Sequence, residues 1–514
     1  MSAAAEATPP DPAGSAPRRR ERGGPLAIAA LVATLVLVTI ATCVPMQSND
    51  FWLQARVGRW IIENGEIPRT LLFPFTEVRD RPFNVHEWLP SVLFHGFIVT
   101  VGEDNLRLVL GALGLLLFGL AARLAWRLTH SLGASLLLGL VAVAVANYRH
   151  YLRPEIVALL LLLWLLHLLV ACQQDGRWRR LLWGLPIALI WANSHGSFLL
   201  GPVVAGLFAT GEGAQAAWPL RSRDRTVWLP AALRAGGPYA LLALAMALAS
   251  LVNPLGWGMY TFAFELTRSQ VARTFLTEWL PTLTPKYIDT RFVLLFLAVF
   301  ALSWLVAVLR RDRLRWADWL LLAAFSVLAF RALRFPVLFG FIALLPCARA
   351  IGWRPRAAVE RALLAGTTAL AALGIALVVK HGNGYGAWPY FAPSANFTLM
   401  MREKIEDPAL QGNVLNHFVL GAELIHRAWP RLKPVMDSRM DSYGDSYFIS
   451  ILDLLNDEER LRAFVAHYDV RYMLLMREDF DERVRRMSNL RADGWRVHFM
   501  DHKAVLLARE SPRP

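Results

Sequence analysis

Runs of roughly 15–20 apolar residues recur along this chain, and short clusters of arginine separate them. A lipid bilayer solvates no free backbone polar group, so each apolar run that crosses it has to be a helix. The runs at 25–45, 105–125, 132–147, 155–172, 180–192, 197–211, 237–252, 291–309, 317–331, 335–351 and 361–379 predict a polytopic α-helical membrane protein of about 11 transmembrane helices. Of the 514 residues, 55% are hydrophobic and 18% charged, a balance outside that of ordinary soluble domains. The net charge of +14 does not point to nucleic acid, because the arginines lie in short clusters between spans rather than along one binding face.

Arginine also orients the spans. With the N-terminus cytoplasmic, the inner segments carry Arg18–Arg20 and Arg22, then Arg123 and Arg127, then Arg177, Arg179 and Arg180. Arg221, Arg223 and Arg225 follow, then Arg310, Arg311, Arg313 and Arg315, and finally Arg354 and Arg356. Every inner segment is basic only if 180–211 is two short helices that turn at "NSHG" (193–196). The chain therefore divides into a disordered cytoplasmic N-terminus (1–24), a transmembrane domain (25–380) with a large first outer loop (46–104), and a domain at 385–514. The piece "HEWLPSVLFHGFIVTVG" (86–102) suits a helix lying in the membrane interface.

Beyond 385 the pattern becomes mixed. The β-type runs "NVLNHFV" (413–419), "KPVMD" (433–437), "VRYMLLM" (470–476), "WRVHFM" (495–500) and "AVLLAR" (504–509) alternate with helical stretches at 453–468 and 481–492. That predicts a C-terminal extracytoplasmic α/β domain. Cys43, Cys172 and Cys347 lie in or at the ends of apolar runs and suggest neither a disulfide framework nor a metal site.

Ionisable groups near a bilayer are costly to desolvate and mark sites. Here they gather on the outer face. Asp50 ends the first span, and His86 and Glu87 precede the interfacial helix. Arg149, His150, Arg153 and Glu155 bracket the third and fourth spans; Asn193 and His195 cap the hairpin. Asn253, Glu278 and Lys286 share one outer loop, and Arg331 and Arg334 close the ninth span. Each has a plainer reading. Asp50 serves equally as a helix cap, Glu87 as a partner for a nearby arginine, and the histidines as structural groups. Arg149 and Arg153 can simply snorkel to head groups. In "DSRMDSYGD" (437–445), Asp437, Asp441 and Asp445 leave a divalent cation possible, though turn and cap duties also account for them. No zinc, phosphate-loop or nucleophile-elbow signature is present.

An inward N-terminus, an acid in a large first outer loop, many spans and a C-terminal outer domain resemble the GT-C superfamily of membrane glycosyltransferases. More narrowly, "NDFWLQARVGRWIIENGEIPRT" with "RPFNVHEWLPSVLF", "WANSHGSFLLG", "NPLGWGMY" with "TEWLP", "FRALRFPVLFG" and "VMDSRMDSYGD" look like a bacterial group of GT-C-like proteins. The sequence departs from the common pattern in having Phe51, not a second acid, beside Asp50. The resemblance implies transfer of a sugar from a polyprenyl-phosphate carrier to an extracytoplasmic glycan, lipid or protein acceptor. It implies a multi-pass protein of the bacterial inner membrane, with no nucleic-acid partner. In that chemistry Asp50 is the expected base, and Glu87 orients the acceptor or helps hold a cation. Arg149, Arg153, Arg331 and Arg334 receive the phosphate, with His86, Asn193, His195 and Glu278 beside them. No cofactor is required by the sequence.

Two other classes compete. A lipid or sugar transporter predicts mid-membrane charge and two matching halves, whereas the charge here lies mostly on one face. A non-catalytic envelope-polysaccharide assembly protein would use the same outer ring only to hold lipid.

Overall fold

A computed structural model of the protein describes residues 24–44, 48–262, 277–288, 290–381, 397–484 and 492–510. The N-terminal tail, apart from Gly24, and part of the outer loop at 253–290 lie outside the described residues, as does most of the helix read at 481–492. Among the described residues, eight helices are long and apolar enough to cross a membrane. They are Pro25–Thr42, Glu103–Thr129, Leu132–Arg149, Pro154–Asp175, Gly196–Leu220, Arg225–Ala249, Arg291–Leu309 and Ala357–Lys380. The other three expected spans are also helical but shorter: Gly184–Ala192 after a 3-10 stretch, Trp316–Arg331, and the pair Pro336–Ile342 and Leu344–Ile351. The helix expected at 237–252 starts earlier, at Arg225, and runs through Pro230 and Pro238.

The segment 180–211 does turn at its centre. His195 begins a short 3-10 turn, and its imidazole accepts the backbone N–H of Ser197 at 3.1 Å. Helix Pro154–Asp175 is the most enclosed of the spans; Pro154 at its first position needs no N–H partner, and Gly176 closes it at φ 69°.

Two helices between the first two long spans carry the candidate site. Helix α1 (Asn49–Asn64) buries Phe51, Trp52, Leu53, Ala55, Val57 and Ile61, which lie around most of its circumference, and ends at Gly65, whose φ of 72° suits glycine. Helix α2 (Trp88–Val101) has 14 residues, too few to span the bilayer upright. The two cross at Gly58, where an added Cβ would lie 1.9 Å from the carbonyl oxygen of Ser91. Gly58→Ala is therefore expected to push the pair apart, at a cost of about 1–3 kcal/mol. Because Asp50 and Glu87 stand at the amino ends of these helices, activity should fall together with the thermal unfolding temperature. A variant as stable as the parent would show that the crossing is looser than this.

The C-terminal region forms a five-stranded sheet in the order β2-β1-β3-β5-β4. Its strands are β1 (Gly412–Asn416), β2 (Leu432–Pro434), β3 (Val470–Met476), β4 (Trp495–Met500) and β5 (Ala504–Arg509). The last three have the bounds read from sequence; the second run, read to 437, ends as a strand at Pro434, and the first, read to 419, ends at Asn416. There His417 caps helix α3 (Phe418–Ala428), its ring nitrogen 3.3 Å from the backbone N–H of Val419. Strands β2, β1 and β3 are parallel, and β5 lies antiparallel to both β3 and β4.

This sheet domain packs directly on the segment 49–85 between the first two long spans. Phe51, Trp52 and Phe73 share one buried core with Ala422, Ile425, Val435, Met436 and Tyr443. Arg427 lies over the Trp52 ring at 5.2 Å, and Phe73 meets Trp429 edge-on at 5.5 Å. Thr76 and Tyr447 share a hydrogen bond of 2.8 Å, and the Tyr468 hydroxyl donates to Glu77 at 2.6 Å.

Candidate active site

The amino ends of α1 and of helix Pro154–Asp175 meet at one face of the helix bundle, and the carboxyl edge of the sheet covers them. Between them lies a cavity of about 670 Å³. Of the ten residues singled out from sequence, eight line it: Asp50, His86, Glu87, Arg149, Arg153, His195, Glu278 and Arg334.

The other two do not line it. Asn193 sits behind the wall: its side-chain carbonyl accepts the Trp88 indole N–H at 2.7 Å, and its amide donates to the carbonyls of Leu189 and Val252. It holds the hairpin turn against α2. Arg331 is exposed at the end of its helix. Three further groups of the expected ring also face elsewhere. His150 turns to the Leu110 carbonyl at 3.0 Å, Asn253 bonds within its own turn, and Lys286 is exposed.

Charge organises the cavity around Glu278. Arg149 bonds both Glu155 and Glu278. Arg153 reaches Glu278 at 3.1 Å and Asp50 at 3.3 Å, and Arg334 lies 3.5 Å from the other Glu278 oxygen. Glu278 is therefore held among three guanidinium groups. Burial alone would raise its pKa, but Arg334, Arg149 and Arg153 outweigh that and hold it well below the usual carboxylate range. Burial likewise works against the charge on Arg153, yet Asp50 and Glu278 leave it more firmly protonated than a free arginine. The loop that carries Glu278 is tied to the loop that carries Arg334. The Arg334 N–H donates to the Glu278 carbonyl at 3.2 Å, and the Leu333 N–H to the Leu280 carbonyl at 2.9 Å.

Asp50 stands in the first turn of α1, where the helix dipole favours an anion. Its two oxygens have different surroundings. One faces Arg153; the other accepts the Ser438 hydroxyl at 3.2 Å. Ser438 follows β2 in the sheet domain, and Phe418, Arg439 and Ser442 of the same domain also line the cavity. On α2, Glu87 accepts a hydrogen bond from the Gln54 amide.

The sequence reading omitted Gln54 and Ser438. Gln54 had a signal, since it lies one helical turn beyond Asp50 on the same face. Ser438 lies in the quoted stretch "VMDSRMDSYGD", but no local pattern pairs it with Asp50, 388 positions away. Glu155 had been placed beside Arg149 in the outer ring, and its direct bond to that arginine adds the detail.

Both cavity histidines are neutral at ordinary pH. Burial lowers His86 to about 4, partly countered by its bond to the Asn84 carbonyl, and lowers His195 to about 3, with Arg334 adding to the effect. A rate profile should therefore show no histidine limb between about pH 5 and 8. A limb near pH 6.5 that His86→Gln abolishes would show that His86 titrates in the working site.

Among the described residues, no three His, Cys, Asp or Glu side chains come together to hold an ion. Asp437, in the stretch that left a cation possible, is fully buried and bonded to Arg439 at 2.5 Å and to the Tyr443 hydroxyl at 2.8 Å.

No family profile matches the sequence, and no curated protein matches it significantly. Solved structures do resemble it in shape. The archaeal oligosaccharyltransferase AglB from Archaeoglobus fulgidus, in complex with an inhibitory peptide and a dolichol-phosphate, superposes at a TM-score of 0.57 with 13% identity, covering 88% of this chain and 69% of that one. The A. fulgidus oligosaccharyltransferase tethered to an acceptor peptide gives 0.54 at 13% identity, covering 95% and 74%. ArnT from Cupriavidus metallidurans, bound to undecaprenyl phosphate, gives 0.51 at 14% identity, covering 95% and 98%. At these identities the likeness establishes the fold.

Proposed function

We propose that this chain, which has the fold of the GT-C membrane glycosyltransferases, works as one and moves a sugar from a polyprenyl-phosphate carrier to a hydroxyl acceptor with inversion of configuration. The observation that carries this reading is the convergence of Asp50 with Arg149, Arg153 and Arg334 on one cavity at a single end of the helix bundle. The arginine distribution in the loops supports placing that end outside the cytoplasm of a bacterial inner membrane. The printed ligands of the structural relatives, a dolichol-phosphate and undecaprenyl phosphate, support the donor class.

The chemistry follows from the groups present. The acceptor oxygen attacks the anomeric carbon, and the bond from that carbon to the phosphate oxygen breaks. The departing phosphate is already anionic, so it needs cations and no general acid; the arginine forks supply them. Asp50 takes the acceptor proton through the oxygen on the Ser438 side, since the other is engaged by Arg153. Glu87, fixed by Gln54, orients the acceptor from the start of α2. Below the charged rim, Leu53, Val57, Leu159, Leu200 and Leu338 give the cavity an apolar wall suited to an isoprenoid chain.

The test is turnover. Purified full-length protein should release polyprenyl phosphate from a lipid-linked sugar in the presence of acceptor. A protein that binds the lipid-linked sugar but never cleaves it would be an assembly factor instead.

A further inference from the structure

Four arginines (Arg149, Arg153, Arg334, Arg439) and four carboxylates (Asp50, Glu87, Glu155, Glu278) line the cavity among the described residues. With His86 and His195 neutral, the lining has no net charge, and Arg439 is in addition bonded to the buried Asp437. The described lining of the cavity thus offers an anionic lipid no net attraction. Its three remaining guanidiniums already bond carboxylates, and all three converge on Glu278. We propose that Glu278 occupies the anion-binding position of this cavity, and that a lipid-linked phosphate enters by displacing its side chain from Arg149, Arg153 and Arg334. The inference rests on the phosphate-donor reading above.

Glu278 is the carboxylate placed to leave. Asp50 and Glu155 are fixed in the first turns of helices, whereas Glu278 lies in a three-residue turn, Thr277–Trp279. Its backbone is anchored to Arg334, so rotation about side-chain bonds is enough and the loop need not move. The exchange also suits the donors. Two carboxylate oxygens serve three planar forks, while a phosphate group presents more acceptor oxygens to the same three. With the Glu278 carboxylate turned away, the three guanidiniums face one negative charge fewer, the charge that a sugar phosphodiester brings. With Glu278 in place, Arg149, Arg153 and Arg334 are not left as unpaired buried cations.

The proposal predicts that removing this charge tightens binding. Full-length wild type and Glu278→Gln, in the same detergent, are titrated with undecaprenyl phosphate and, as a control, with undecaprenol. The variant should bind the phosphate about tenfold or more tightly, because the binding-competent arrangement is no longer in competition, and should bind the alcohol as wild type does. Equal or weaker phosphate binding by folded variant overturns the proposal while leaving the donor reading intact. If neither chain distinguishes phosphate from alcohol, the donor reading falls and this inference falls with it. Should the variant fail to fold, a structure of wild type with undecaprenyl phosphate decides. Glu278 released from Arg149 and Arg153 supports the exchange; Glu278 still bonded to all three arginines refutes it.

Discussion

Asp50→Asn is expected to lower sugar transfer by about 10²–10⁴-fold, the usual contribution of a positioned general base. Asparagine keeps the size of the side chain; its one oxygen can accept from Arg153 while its amide N–H donates to the Ser438 hydroxyl, so the neighbours stay in place. It cannot take up the acceptor's proton. The Asp50–Arg153 pair is partly exposed, with 39% of the aspartate side chain accessible, so its loss costs stability only about 0–1 kcal/mol. Membrane insertion, the unfolding temperature and affinity for the donor should thus remain near wild type while transfer disappears. Near-normal turnover by this variant would remove Asp50 from the chemistry and leave the charged ring as a lipid-binding feature.

The second large effect is expected at Arg149. Its side chain is 7% exposed and bridges Glu155 and Glu278. Arg149→Ala leaves two enclosed carboxylates facing each other without their shared cation, a loss of about 3–5 kcal/mol for a broken buried pair. That variant should unfold at clearly lower temperature or fail to accumulate. Arg149→Lys separates charge from geometry. Lysine keeps the positive charge but is a single point donor, unable to fork between two carboxylates or grip a phosphate in two places. It should yield folded protein with KM for the lipid-linked donor raised about tenfold or more. If lysine restores wild-type kinetics, charge alone suffices at this position and the bidentate argument fails.

Elsewhere the ionic groups of the bundle divide cleanly by face. Away from the cavity, Arg315 bonds Glu212 and Arg349 bonds the fully buried Asp318 at 2.9 Å. These pairs tie helices Gly196–Leu220, Trp316–Arg331 and Leu344–Ile351 together. Arg315 belongs to the basic clusters from which the orientation was read, and in the structure it clamps two helices.

What the sequence determined by itself was whatever depends on local period and on transfer to lipid. Apolar run length placed the helices, the arginine clusters placed their ends, and alternation placed five strands between 412 and 509. These signals are one-dimensional, because each residue answers to its own surroundings of lipid, water or sheet. The same logic collected Asp50, Glu87, Arg149, Arg153, Glu278 and Arg334 on one face before any contact was known. Tertiary structure alone decided which of them touch. That Arg331 stays exposed while Arg334, three residues on, reaches Glu278 depends on how the turn after helix Trp316–Arg331 folds back on the loop at 278–282. That Ser438 meets Asp50 depends on the sheet domain docking through Trp52, Phe73 and Tyr447, a packing of surfaces far apart in the chain. Pairings of that kind arise from shape and charge meeting in three dimensions, and no local pattern encodes them.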